Sequence, residues 1–399
     1  MRAYVELMRY GTARRLIAAS VAGKLGFAIF PLATVLLGHG SSGSFLDAGA
    51  VAGAWSMGGT VTGPLRGHLI DRYGHRMPLT ALALLTAVAA AGLATASGTM
   101  QLIGFGALAG AAAPPIVASI RPLWARAVSQ DLVHSAYALD AVLTEVTKIC
   151  GPLFAAAAAE HSPRLGVIIA GVLLVTGTCL VGFQPPTTDR PSTVSGTSRG
   201  VLASPALRLL LAANVCAGLC LGALMVGLPA RAAERGSAAD AGWMFACVAV
   251  GSALAGAAIG TTRHRSASPA TGYLTAFTWV ALALMPLTVA SSAPFSVILL
   301  VSAGAAFAPM TICLFELLDA HAPQNTAVAA MMWMVAAEEL GIAAGTVGAG
   351  ALTQHVGAWL ALLSAAVGGG LGALVIVTRK ACLASSSEPL NGRSGDTMM

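Results

Sequence analysis

The sequence predicts an all-α membrane protein of twelve transmembrane helices in two pseudo-symmetric six-helix bundles. Three observations predict it. The composition is 56% hydrophobic and only 10% charged. Apolar stretches recur at the length of a bilayer, and a glycine pattern repeats between the two halves of the chain. A soluble domain with so few charges would be hard to keep in solution, whereas a chain facing lipid over most of its surface needs that balance.

A helix needs roughly 20 apolar residues to cross the hydrocarbon core. In chain order the candidate spans are 16–38, 46–66, 78–97, 101–122, 136–158, 165–183, 205–229, 241–262, 270–290, 294–315, 326–350 and 355–378. A basic N-terminus precedes the first span, as in a signal peptide. That stretch is long, lacks a clear small-x-small cleavage site and leads into eleven more, so it reads as a retained helix. Pro114-Pro115 in the fourth span and Pro309 in the tenth should kink or loosen those helices. The fifth span is the least apolar, because Asp140, Glu145 and Lys148 lie inside it. Residues 185–204, rich in Pro, Thr, Ser and Gly, read as a flexible cytoplasmic linker between an N-terminal bundle (1–184) and a C-terminal bundle (205–380). The polar segment 381–399 reads as a disordered cytoplasmic tail.

Orientation follows from the basic residues. With a cytoplasmic N-terminus, 17 of the 22 Lys and Arg fall on the inside, and only Arg164, Arg231 and Arg235 fall outside. Lys24 and Lys148 lie within spans. That asymmetry fits the positive-inside rule and places both termini in the cytoplasm of a multi-pass protein of the cell membrane. The net charge of +6 is therefore topological, with no reading as a nucleic-acid surface.

The halves repeat. A shift of 193 residues lays Ala48, Gly49, Gly58, Gly63, Gly67 and Arg72 onto Ala241, Gly242, Gly251, Gly256, Gly260 and Arg265, and Glu145 onto Glu338. Small residues four apart, such as Gly59, Gly63 and Gly67, let helix backbones approach closely in lipid.

Residues 67–76 form a charged corner between the second and third spans. Gly67, Asp71, Arg72, Gly74 and Arg76 match the pattern Gly-x-x-x-Asp-Arg-x-Gly-Arg-Arg, with His75 in place of one basic residue. The decapeptide resembles the loop after the second span of major facilitator superfamily transporters. The resemblance implies two parallel six-helix repeats with a substrate site between them near midplane. It also implies that the loop is a conformational latch, its Asp meeting the positive N-terminal dipole of another helix. The eleventh span's N-terminus is the candidate partner, and Arg121 and Asp131 are placed to join the network. Gly151-Pro152 resembles the core of the family's antiporter motif, with Thr147, Ala155 and Ala156 in its flanking positions. That likeness implies export by antiport. The fourth-span arginine of many proton antiporters has no counterpart between Gln101 and Ala113.

The intramembrane charges are the candidate chemistry, since each Asp, Glu or Lys at a helix centre costs about 2.5–3.5 kcal/mol on insertion scales. Asp140, Thr144, Glu145, Thr147 and Lys148 share one broad helical face, and Glu145 and Lys148 can pair at three-residue spacing. Glu338 and Glu339 fall near midplane of the eleventh span and point roughly 100° apart. Two carboxyls side by side in a low dielectric compete for one charge, which is the property that proton coupling needs. Lys24 could pair with a carboxylate or meet an anionic substrate group, and Asn214 could line the same cavity or hold a helix contact.

The chain has only Lys24, Lys148 and Lys380 and no Gly-x-x-x-x-Gly-Lys-Ser/Thr loop, so ATP hydrolysis is not expected. No His or Cys cluster suggests a metal or other cofactor, and no nucleophile–base set suggests an enzyme. The sequence therefore predicts a monomeric secondary-active transporter. It would export a small lipophilic molecule against protons, with Glu145, Glu338 and Glu339 as coupling candidates. A proton-coupled importer or uniporter is the alternative within this fold, and a non-transporting receptor or scaffold is the rival class.

Overall fold

The computed structural model describes residue 7 and residues 9–74, 76–183, 204–261, 268–290, 292–322 and 327–379. The linker expected at 185–204, save Ser204, and the tail expected at 381–399 lie outside these residues. Within them the chain forms α-helices and two short 3-10 turns. The helices of the first half are α1 (Gly11–Ser42), α2 (Phe45–Tyr73), α3 (Arg76–Thr95), α4 (Thr99–Ala112), α5 (Ile116–Ala127), α6 (Gln130–His161) and α7 (Pro163–Gly182). Those of the second half are α8 (Pro205–Ala233), α9 (Ala241–Thr261), α10 (Pro269–Leu284), α11 (Ala293–Gly304), α12 (Phe307–His321), α13 (Ala327–His355) and α14 (Ala358–Thr378).

Two of the twelve spans are broken helices. The fourth is α4 plus α5, interrupted at Ala113, Pro114 and Pro115, where the prolines remove two N–H donors. The tenth is α11 plus α12, interrupted at Ala305 and Ala306, three residues before the proline thought to kink it. Pro309 instead sits in the first turn of α12, where a missing N–H costs nothing. Among the described residues, ten segments are long and apolar enough to cross a bilayer by themselves. Span four is excluded by its break. The second, α2, carries Asp47, Arg66, Asp71 and Arg72, yet its 29 residues extend about 44 Å at 1.5 Å each.

Local chemistry sets the starts. Ser162-Pro163, Ser204-Pro205 and Ser268-Pro269 each open a span with a serine cap and a proline in the first turn. The three hydroxyls accept from the N–H groups of Arg164, Leu207 and Thr271. α1 ends at Gly43, whose φ of 70° lets its N–H reach His39 O at 2.7 Å.

Glycine then sets the packing, and it does so twice. In the first half a Cβ on Gly58 would strike Ala107 O, and one on Gly110 would strike Trp55 O. In the second half Gly251 and Gly304 stand in the same relation to Val301 O and Val248 O. The repeated spacing in the sequence is thus a repeated backbone contact between spans two and four and between spans eight and ten.

Glycine contacts between the halves cluster at one end, the end of the α1–α2 turn. Gly49 and Gly53 of α2 press on Thr346 O and Ala343 O of α13, Gly350 of α13 presses on Phe45 O, and Gly242 of α9 meets Ala156 and Pro152 O of α6. Toward the other end of α2 the glycines lose their neighbours. Gly63 meets only the Arg66 guanidinium, and Gly67 has open space.

Candidate functional site

The charges come from α1, α2, α6 and α13. Lys24 is buried on α1, and its Nζ donates to Asp140 Oδ1 at 2.7 Å, to Asp140 O at 3.0 Å and to Thr144 Oγ1 at 2.8 Å. Ser20 Oγ donates to the same carboxylate oxygen at 2.8 Å. Four-residue spacing on each helix, Ser20 to Lys24 and Asp140 to Thr144, brings these groups face to face between α1 and α6. Lys24 therefore has a carboxylate partner, and it is Asp140.

Glu145 and Lys148 lie one turn further along α6. Their side chains pair at 2.9 Å yet remain 42% and 58% exposed, so the pair faces open space. Gly151 and Pro152 follow on the same helix. A Cβ on Gly151 would strike Ala28 of α1, and Pro152 O abuts Gly242 of α9. This segment joins α1, α6 and α9 at the end where the halves touch.

Glu338 and Glu339 are positioned by a backbone ladder. Asn214, Gly218 and Gly222 stand four apart on α8, and they meet the carbonyls of Met334, Glu338 and Ile342, four apart on α13. Asn214 Nδ2 donates to Met334 O at 2.6 Å, while the two glycines admit the next two carbonyls where any Cβ would collide. From α13, Gly341 and Gly345 press back on Val215 O and Leu219 O. The glutamates thus project from a helix whose height and rotation are fixed by its neighbour.

They project different ways. Glu338 lines a cavity of about 80 Å³ inside the second half, with Asn214, Met310, Phe315, Met331 and Met334 on its walls. That volume suits a few waters and falls well short of the 300–1,000 Å³ of ligand pockets. Glu338 also lies in the field of Lys148, and the buried hydroxyl of Tyr273 on α10 is close enough to feel its charge. Glu339 faces the first half, where Ser56 and the Arg66 guanidinium of α2 are near enough to act on its carboxyl. Arg66, Glu339, Glu338, Lys148 and Glu145 thus follow one another within electrostatic reach, the last two as an ion pair.

Arg66 is one of the 17 basic residues counted above on the inside. Its guanidinium turns back along α2 into the α4–α5 break, where it donates to Ala113 O, to Gly110 O at 3.4 Å and to Gly59 O at 2.8 Å. Carbonyls at a helix C-terminus carry partial negative charge and lack intrahelical partners, so a cation is the fitting cap. Thr62 Oγ1 adds a bond to Ala111 O at 2.9 Å. An arginine from the second span thus stands at the fourth span. A signal existed in the sequence, since a cation at the end of the second span, facing a double proline in the fourth, invites this reading.

The latch residues occupy the turn from α2 to α3. Gly74 has φ 75°, a conformation that favours glycine. Arg72 stacks over Tyr73 at 5.4 Å, and Arg76 stacks over Phe183 at 5.6 Å, tying the turn to the end of α7. The side chains of Asp71, Arg121 and Asp131, and those of residues 327–329 at the start of α13, through which the latch was expected to close, lie outside the described residues.

The sequence model of the Major Facilitator Superfamily matches residues 16–346. No curated protein matches in sequence. Among solved structures, a point mutant of the nucleoside transporter NupG superposes with a TM-score of 0.76 at 11% identity, covering 91% of this chain and 99% of its own. A bacterial homologue of the human lysosomal transporter Spinster, inward-facing and occupied, gives 0.68 at 13% identity over 93% and 96%. The human organic anion transporter MFSD10 gives 0.62 at 17% identity over 92% and 99%. At these identities the likeness is one of fold.

Proposed function

The chain belongs to the Major Facilitator Superfamily, and from that premise we propose that this multi-pass membrane transporter exports a small lipophilic molecule in exchange for protons. It works as a monomer in the cell membrane with both termini in the cytoplasm. Residues 1–184 and 205–380 are the two moving bundles.

The observation that carries the proposal is the position of Glu339 between the halves, against Ser56 and Arg66 of α2. A carboxylate there is attracted to Arg66 only while it is charged, so its protonation alters the attraction between the bundles. Glu338, in contact with the cavity and in the field of Lys148, passes the same change toward α6. Glu145 and Lys148 present their exposed pair to the substrate path. With cytoplasmic termini, the tight end of the bundle is the outer one, and the open glycines at Gly63 and Gly67 face the cytoplasm. Alternating access exchanges these two ends, with the 67–76 turn as the latch.

The likeness of Gly151-Pro152 to the antiporter motif supports the export direction, and its place at the junction of α1, α6 and α9 puts it where the outer end must loosen in either direction. Purified protein in liposomes with a pH-sensitive dye inside tests the reading, against a panel of lipophilic cations and neutral drugs. Substrate-driven proton movement should occur in the wild type and vanish in Glu339→Gln. Substrate equilibration without proton movement would make it a uniporter. Proton and substrate moving the same way would make it an importer, and neither moving for any compound would favour a scaffold.

A further inference from the structure

The larger of the two cavities described, about 290 Å³, lies away from the charge chain, between the start of α8 and the end of α14. Arg208 and Arg379 line it with Leu209, Ala212, Val375 and Thr378. We propose that this cavity is a binding site for the phosphate headgroup of an anionic phospholipid. Two arginines line one space, and among the described residues neither makes an ion pair with an acidic side chain. Like charges brought together repel unless an anion bridges them, and a phosphate accepts from two guanidinium forks at once.

The rest of the cavity selects an amphiphile. Its inner wall is apolar, formed by Leu209, Ala212 and Val375. Leu371 and Leu374 sit one turn below Val375 and Thr378 on the same face of α14, and they are 44% and 57% exposed. A headgroup between the arginines would lay its acyl chains along these leucines. The site is at the end of the bundle that holds the start of α8 and the end of α14, which is a membrane–water boundary. Basic pockets between spanning helices at that level take anionic headgroups.

The test is native mass spectrometry of the full chain released from nanodiscs containing equal phosphatidylglycerol and phosphatidylcholine. The wild type should retain phosphatidylglycerol preferentially. Arg208→Gln/Arg379→Gln should lower that retention by about fivefold for each guanidinium removed, while Arg208→Lys/Arg379→Lys should keep most of it. Arg14→Gln/Arg15→Gln, which removes two exposed charges from the start of α1, should leave it unchanged. Equal losses in both Gln pairs would overturn the site in favour of diffuse surface charge. Unchanged retention in the Arg208/Arg379 pair would overturn it outright. Displacement of the lipid by millimolar inorganic phosphate would assign the cavity to a soluble anion instead. A gain in retention on neutralising Asp189, Glu388 and Asp396 would assign it to the chain's own acidic side chains. Thermal unfolding of each variant in detergent should stay within a few degrees of wild type, because both arginines are exposed.

Discussion

Lys24 and Asp140, 116 residues apart in sequence, form an ion pair of 2.7 Å with side chains 3% and 8% exposed. Ser20 and Thr144 satisfy further valences of the pair. Two charges so placed hold α1 to α6 through groups that have no water to fall back on. The pair lies one turn from Glu145, so it braces the helix that carries a coupling candidate.

Breaking that pair from one side strands a buried charge. Lys24→Met or Asp140→Leu alone should destabilise the protein by about 3–5 kcal/mol, while Lys24→Met/Asp140→Leu together should recover most of the loss. Unfolding of the three variants in detergent measures this. Equal damage in the double variant would show that Lys24 acts beyond the pair.

Arg66 caps the broken end of α4. Removing its guanidinium leaves the Ala113 carbonyl without that donor, a cost of about 1–3 kcal/mol, while Gly110 O keeps the Ala113 N–H. Arg66→Gln should therefore lower stability by that amount and also uncouple protons from substrate, since Glu339 loses the cation opposite it. Arg66→Lys keeps the charge but loses the fork, and should retain proton coupling at reduced stability. A dye-based proton assay beside an unfolding curve separates the two effects.

At Gly218 an added methyl would enter the carbonyl of Glu338. Gly218→Ala should cost about 1–3 kcal/mol by overpacking and shift the height of both glutamates. The expected readout is loss of transport out of proportion to the loss of stability. A full-rate Gly218→Ala protein would show that the ladder between α8 and α13 has slack.

Gly67 has open space where a Cβ would go. Gly67→Leu should leave the unfolding temperature unchanged in this conformation. Transport should slow by roughly tenfold or more, because overpacking of about 1–3 kcal/mol falls on the closed state alone. Unchanged transport would mean that the cytoplasmic end of α2 never packs closely.

The spans were legible because lipid demands long apolar helices, and that demand is written residue by residue. The Gly58 and Gly251 contacts were legible too, because a backbone approach leaves a fixed glycine spacing in each half. The partner of Lys24 was harder. Periodicity put Asp140 and Glu145 on the same face of α6, but only the rotation of α6 against α1 chooses between them. Arg66 did not stand out because a long side chain can reach a full turn from its own Cα, so sequence position does not fix where its charge sits. The break in span ten came at Ala305 and Ala306 because a helix can restart ahead of a proline and leave it harmless in the first turn. The side chains of Asp71, Arg121 and Asp131 remain outside the described residues, and so does the closing contact that the latch was expected to make.

The glycine stripe of α2 is packed at one end and bare at the other. Glycine has no rotamers to freeze, so forming or opening such a contact changes side-chain entropy hardly at all. Gly49 and Gly53 can part from α13 while Gly63 and Gly67 find new neighbours, with little thermal penalty on either side of the exchange. A helix seam built from side chains would lock one arrangement in place. A seam built from bare backbone lets two arrangements lie close in free energy, where the charge on a single carboxylate is enough to choose between them.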